Sequence, residues 1–404
     1  MKVPTRSRRF AALAVVVGLG LAACGGGASE QGSAIVGESG LQTYKMGVAM
    51  ALSGANAGLG QDFVRFIEYG IEDANEQYAK EGFQIEMVSE DTQATAEAGL
   101  NALTKMATVE DVPAVFTAWS AVVKAMAPAA EDLGVALFNI GANSPELEGG
   151  GENLRNFFPL ASVDIRALAT YMAEDQGKKK AAIIRVDNAT GEGAADVYTE
   201  AFEEAGGEVL AVETITQDAI DASSQVAKIL ATNPDTIHVH SLLGETVAIF
   251  KALKEQGADV PITSYAGPAQ TVVVRDAAGA AMNGLVYTTL AATKPGDPKV
   301  AELVERFKAD QGREPAGIAY DVYMYDSAFF YADILKQLRE DGREVNGDNI
   351  LALVDEVKEF SSLPLQVSTT FTDTGAVIKD VVLKRIDDAS VNPAKDPEVI
   401  TLKQ

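Results

Sequence analysis

The feature that most restricts how this chain folds is a repeated change of period, in which short apolar runs alternate with longer amphipathic stretches and the whole series occurs twice. In the first series, residues 45–52, 84–90, 114–118 and 135–139 read as strands, with helices predicted over 63–80, 94–108 and 121–133. In the second, strands are predicted at 181–186, 208–214, 236–239 and 262–265, and helices at 193–205, 219–232 and 246–256. Strands that alternate with helices build a parallel sheet covered on both faces, because each connection must return over the sheet. The prediction is an α/β protein with two similar, doubly wound parallel-sheet lobes.

The segments between and after the two series indicate how the lobes are joined. Residues 143–160 carry Pro145, three consecutive glycines at 149–151 and Pro159, a composition that marks a boundary. A strand at 285–290 leads through Lys294-Pro295-Gly296-Asp297-Pro298 into helices at 299–310 and 319–339. Residues 366–385 then alternate like a hairpin that turns at Asp373-Thr374-Gly375. The chain is thus expected to pass between lobes three times, near 158, 288 and 365. That assigns 44–158 with 288–365 to the first lobe and 159–287 with 366–404 to the second. Interwoven lobes of this kind form a hinge with a cleft between them.

The first 23 residues read as an export signal. Lys2, Arg6, Arg8 and Arg9 form a basic head, residues 10–20 an apolar core, and Leu21-Ala22-Ala23-Cys24 the end of the signal. Residues 24–43, rich in Gly, Ser, Ala and Glu, read as a flexible tether. No later segment has a long uncharged apolar run. Without the leader, 29 basic and 58 acidic residues remain, a net charge of about −29 that excludes nucleic-acid binding through a basic surface. About 380 residues exceed what one core usually holds, in keeping with two lobes. With Cys24 the single cysteine, no disulfide staples either lobe.

The stretch from Lys45 to Asp62 holds the chain's most suggestive loop, Ser53-Gly54-Ala55-Asn56-Ala57-Gly58-Leu59-Gly60, between a predicted strand and a predicted helix. The loop looks like the glycine pattern of short-chain dehydrogenases, in which glycines let the backbone approach a pyrophosphate. That family also needs a Tyr-x-x-x-Lys pair, and none of the 11 tyrosines has a lysine four residues on. No nucleophile elbow is present either. His238 and His240, the two histidines, alternate along one strand and so share a face, open to a two-His metal site, to core roles or, for His240, to the cleft.

Three further motifs carry a stronger resemblance: Phe116-Thr117-Ala118-Trp119-Ser120-Ala121, Ala127-Pro128-Ala129-Ala130-Glu131-Asp132-Leu133-Gly134-Val135 and Gly141-Ala142-Asn143-Ser144-Pro145-Glu146-Leu147. With Thr190-Gly191-Glu192-Gly193 and Tyr320-Asp321, they resemble the solute-binding subunits of branched-chain amino acid ABC transporters, of the leucine/isoleucine/valine-binding type, over residues 45–385. Leu21-Ala22-Ala23-Cys24 likewise resembles a bacterial lipobox, which implies lipidation at Cys24 and a membrane anchor outside the cytoplasmic membrane. The resemblance implies a monomer that binds a small-molecule ligand and meets ABC permease subunits, with no cofactor, no metal and no catalysis. A ligand sensor or scaffold of the same fold, without transport, stays open as the alternative.

What the family does with its loops implies a set of site residues. A serine-bearing turn after the third strand places Ser120 and the Ala121 N–H on the ligand carboxylate, and a small-residue turn after the fourth adds Ala142 and Asn143. Ser120 also reads as a helix N-cap and Asn143 as a turn residue, and Trp119 as either a stacking platform or core filler. Asn188, His240, Leu242, Tyr265 and Ala266 would close from the second lobe, and Leu59 and Leu242 stand where aromatic residues often line the pocket. The family's usual carboxylate against the ligand ammonium falls at Ala266, so Asp321 or Asp187 is expected to replace it, or the cargo is an amide or a plain carboxylate.

Overall fold

The computed structural model describes residues 35–36, 40–242, 244–289, 298–366, 369–391 and 396–402. The expected leader, Cys24 and most of the expected tether lie outside the described residues. So does Lys294-Pro295-Gly296-Asp297. The tether's end is ordered backbone, however: β1 (Ile35–Val36) pairs antiparallel with the start of β2 (Gln42–Met50), so strand begins before residue 43.

From β2 the first lobe runs through α1 (Ala57–Tyr78), β3 (Phe83–Asp91), α2 (Ala96–Thr108), β4 (Ala114–Thr117), α3 (Ser120–Leu133), β5 (Ala136–Asn139) and the short β6 (Leu154–Asn156). The chain crosses and builds α4 (Ala161–Glu174), β7 (Lys180–Val186), α5 (Ala189–Glu204), β8 (Glu208–Ile215), α6 (Ser223–Ala231), β9 (Thr236–His240) and α7 (Gly244–Glu255). The second lobe continues with β10 (Ile262–Ser264), α8 (Ala266–Gln270), α9 (Val272–Ala278) and β11 (Val286–Thr289). Both sheets have one order: β3-β2-β4-β5-β6 in the first and β8-β7-β9-β10-β11 in the second, all parallel.

The chain then returns to the first lobe as α10 (Pro298–Gln311), α11 (Ile318–Glu340), α12 (Gly347–Val357) and a small antiparallel sheet of β12 (Glu359–Phe360), β13 (Thr369–Phe371) and β14 (Val377–Ile378). The final strands β15 (Val381–Arg385) and β16 (Glu398–Leu402) extend the second sheet antiparallel to β11. The hairpin expected over 366–385 is therefore two structures. Its tip at Asp373-Thr374-Gly375 joins β13 to β14, whose Phe371 and Val377 pack in the first lobe's core, whereas β15 belongs to the second sheet. The last crossing falls at Lys379-Asp380, later than the residue 365 expected, because the hydrophobic faces of β13 and β14 need the first lobe to bury them.

Alternation along the strands sorts the core by face. Phe116 and Phe138 point toward α1 and α11, while Val115 and Leu137 point toward α2 and α3. In β9, Ile237 and Val239 join the α6 and α7 side, which leaves His238 and His240 for the side that carries α5. The glycine-rich segment expected as a turn to residue 60 is already the first turn of α1. Gly60 is small for a packing reason, since a Cβ there would stand 2.0 Å from the Ala51 carbonyl oxygen. Gly191 repeats the device in α5, with the Val186 oxygen 2.2 Å from such a Cβ.

Candidate functional site

Each sheet reverses its order once, between β2 and β4 and between β7 and β9. Open α/β sheets take ligands outside the carboxyl ends of the strands at such a reversal. The loops there hold Ser53, Trp119 and Ser120 in the first lobe and Asn188, Ser241 and Leu242 in the second. The two edges face each other. Ala266 of the second lobe is packed in the first lobe's main core cluster, and a Cβ on Gly193 would lie 3.7 Å from the Pro145 ring. The lobes are closed on one another.

In the first lobe the loop after β2 is no phosphate cradle. Its Leu52 and Ser53 N–H groups donate to Asp91, at 2.8 and 3.3 Å, and the Ser53 hydroxyl does so at 2.5 Å. An internal carboxylate already fills the place that a pyrophosphate would take. After β4 the backbone is strained instead: Trp119 has φ 67° and ψ 119°, a region that non-glycine residues rarely adopt and that clusters at ligand sites. Half-buried Trp119 packs on Phe63 at 5.7 Å; Phe63 meets Tyr320 at 5.8 Å, and Tyr320 stacks on Phe158 at 5.3 Å. Ser120 is not the N-cap of α3. Trp119 holds that position without a side-chain cap, and Ser120 is the first helical residue. The Ser120 and Ala121 N–H groups are therefore among those a helix start leaves without an intrahelical acceptor.

The turn after β5 is built by buried Asn139. Its Oδ1 accepts the Gly141 and Ala142 N–H groups, at 3.2 and 2.7 Å, while its Nδ2 donates to the Ala142 carbonyl and to Asn156 Oδ1. Both backbone groups of Ala142 are thus engaged within the lobe, and its N–H is not free for a ligand. Asn143 is half-buried; its carbonyl accepts the Ala161 N–H at 2.7 Å, and the residue lines a small hinge cavity with Asp164, Thr289, Tyr323 and Lys379. Leu59 packs on the core and on Gly317, which leads into α11.

The second lobe presents a different wall. Asn188 caps α5, with Oδ1 accepting the Gly191 N–H at 2.9 Å. Half-buried Leu242 is tied at both ends, its N–H to Glu245 Oε1 at 2.6 Å and its carbonyl to the Thr246 hydroxyl at 2.7 Å. Tyr265 donates its hydroxyl to the Ser241 carbonyl at 3.1 Å and stacks on His240 at 4.3 Å. His240 is fully buried with both ring nitrogens unpartnered, and burial pushes its pKa down to about 3. His238 lies 6.2 Å below it, is held low by burial and then by His240, stacks on Tyr198, and meets Thr263 Oγ1 through Nδ1 at 3.1 Å.

The acids divide clearly. Asp321 is buried with both oxygens unpartnered and its pKa held well above the usual carboxylate range, by burial and then by Asp62, but the charges that act on it are Asp62 and Arg313. Those groups pair with each other where α1 and the α10–α11 loop meet inside the first lobe. Asp321 is thus not grouped with the cleft residues, and Asp187 is exposed. Two carboxylates act on Tyr265, Glu245 and then Asp164, and Asp164, in the first turn of α4, acts on Tyr320 as well. Its Oδ2 accepts the Thr288 hydroxyl at 2.7 Å, its Oδ1 has no partner, and burial raises its pKa to about 6 against that hydrogen bond. Sequence reasoning missed Asp164 because α4 falls in residues 161–180, between the boundary segment and the next expected strand, where no element was expected.

A family model described as periplasmic binding protein matches residues 43–390. A Leu/Ile/Val-binding protein homolog of Brucella abortus is 26% identical over 312 residues, which span 72% of this chain and 76% of that one. A branched-chain amino acid transporter substrate-binding protein of Streptococcus pneumoniae, solved with isoleucine, superimposes with a TM-score of 0.70 at 22% identity, covering 90% of this chain and all of that one (100%). A solute-binding protein of an ABC transporter from Rhodopseudomonas palustris, solved with 3,4-dihydroxybenzoic acid, gives 0.69 at 18% identity, covering 89% and 96%. With the two-sheet fold and the facing strand ends already in place, the family model over residues 43–390 shows that this chain belongs to the periplasmic binding protein family.

Proposed function

We propose that the chain is the extracytoplasmic substrate-binding subunit of an ABC importer, which captures a small polar solute by closing its two lobes and presents it to a membrane permease. No bond is made or broken. The observation that carries this reading is the pair of equivalent sheets whose carboxyl ends meet across one hinge, with strained Trp119 on one side and unpaired polar groups on the other. A ligand carboxylate fits the Ser120 and Ala121 N–H groups, where the start of a helix of 14 residues favours an anion. Ala266 cannot meet an ammonium. Asp164 can, because one of its oxygens is anchored and the other is free, and this favours an amino acid over a plain aromatic acid.

The experiment is a thermal-shift screen of the purified protein and its Asp164→Asn variant against amino acids, their amides and matching carboxylates. A ligand at about 100 times its Kd adds roughly 2.7 kcal/mol, a clear rise in Tm. An amino acid that stabilises the wild type and loses most of its effect in Asp164→Asn supports the reading. Stabilisation by carboxylates alone, indifferent to Asp164, would remove the ammonium assignment, and silence across the panel would remove the importer reading.

A further inference from the structure

We infer that His240 is a specificity group of the second-lobe wall, which hydrogen-bonds a neutral polar group, a hydroxyl or carboxamide, on the ligand's tail. The inference rests on the reading just given and names the class of solute. His240 ends β9, the strand beside the reversal of the second sheet, and so stands at the edge that borders the cleft. Its ring is clamped parallel to Tyr265, with 16° between planes, and Tyr265 is fixed in turn by its hydrogen bond to Ser241. The imidazole is therefore held in place rather than free to seek a partner.

Two buried ring nitrogens without a partner are costly, since each forfeits the hydrogen bond it makes in water and regains none. An aromatic residue without polar atoms fills the same stack at no such cost. A histidine at that place makes physical sense if something arrives to meet it. A neutral imidazole offers one donor and one acceptor, which matches a hydroxyl or a carboxamide atom for atom. Burial is the cause acting on the His240 ring, with no charged group among the causes, so an ionised tail has no counter-charge there. An all-aliphatic tail leaves both nitrogens unpaired. Sites built to hydrogen-bond a ligand group reject the analogue that lacks it far more strongly than apolar pockets reject an extra methylene.

Calorimetric titration of near-isosteric pairs, threonine against valine and asparagine against leucine, tests this with wild type, His240→Phe and His240→Gln. Phe retains the stack on Tyr265, and Gln retains a donor and an acceptor. The expected result is at least tenfold tighter binding of the polar member by wild type, loss of that preference in His240→Phe, and its partial return in His240→Gln. A ¹⁵N shift of the His240 ring on adding the polar ligand, absent with its aliphatic partner, is the matching spectroscopic sign. Equal binding of both members, or a preference that survives in His240→Phe, overturns the inference while leaving the importer reading in place. Failure of all four amino acids to bind removes the amino acid reading and this inference with it.

Discussion

The two lobes share a strand order and differ in what they bury. In the first, Phe63, Phe66, Phe116, Phe138, Phe157 and Phe330 fill one face of the sheet, and the polar turn beside the cleft is closed by Asn139 and Asn156, which satisfy each other and their neighbours. In the second, the equivalent faces are mostly aliphatic and alanine-rich, and the polar side chains near the cleft, His240 and Asp164, keep atoms without partners. The contrast separates two tasks. Beside the cleft the first lobe offers helix-start N–H groups from a turn whose own polar side chains are satisfied, and its unpartnered Asp321 lies by the Asp62–Arg313 pair instead, whereas the second lobe brings unpartnered side-chain atoms to the cleft.

The largest effect is expected from the second lobe's buried ion pair. Arg275 and Asp396 are 1% and 2% exposed and bonded at 2.6 Å, with Tyr287 donating to the same carboxylate. Asp396→Ala leaves a buried guanidinium unpaired and should cost about 3–5 kcal/mol. Urea unfolding should then become two transitions, the second lobe melting first while the first lobe's Trp119 emission persists. A single cooperative transition would show that the lobes do not separate energetically.

Next is the first lobe's own network. Asn139→Leu removes four hydrogen bonds and strands the Ala142 N–H, a loss of about 2–4 kcal/mol. It should weaken ligand binding as well, because the turn that carries Asn143 loosens. Unchanged affinity in a destabilised variant would mean that this turn does not shape the cleft.

A smaller effect comes from pH, and its sign follows from the histidines. Both have folded pKa values depressed below 6.5, His240 to about 3, so they stay neutral in the native state while the unfolded chain takes up protons. Their contribution is complete above pH 6.5 and declines as pH falls below it. Between pH 7.5 and 5 each should remove about 2 kcal/mol. His240→Phe should flatten that dependence by one histidine's share, and an unchanged pH profile would contradict the buried neutral state.

Much of this architecture is legible in the sequence because period is a local signal. The strands around Phe116 and Ile183 and the helices that follow each of them, α3 and α5, are expected from spacing alone, and the motif around Trp119 and Ser120 carries the family resemblance. Features that depend on distant partners are not legible. Gly60 looks like part of a loop until the Ala51 carbonyl is seen against the helix, and β6 is three residues long inside a glycine-rich crossing. Asp164 and Asp321 are alike as residues. Only the fold shows that one accepts the Thr288 hydroxyl at the hinge cavity and the other lies by the Asp62–Arg313 pair.

The most direct test is a titration of Trp119 fluorescence, since the lone tryptophan sits at the strained turn after β4, beside the reversal of the first sheet. Any solute that raises the Tm should change its emission along a saturating curve, and Trp119→Ala should bind that solute at least tenfold more weakly while unfolding as one intact protein. A solute that stabilises the protein yet leaves both the emission and the affinity of Trp119→Ala unchanged would place the binding site elsewhere and contradict the cleft.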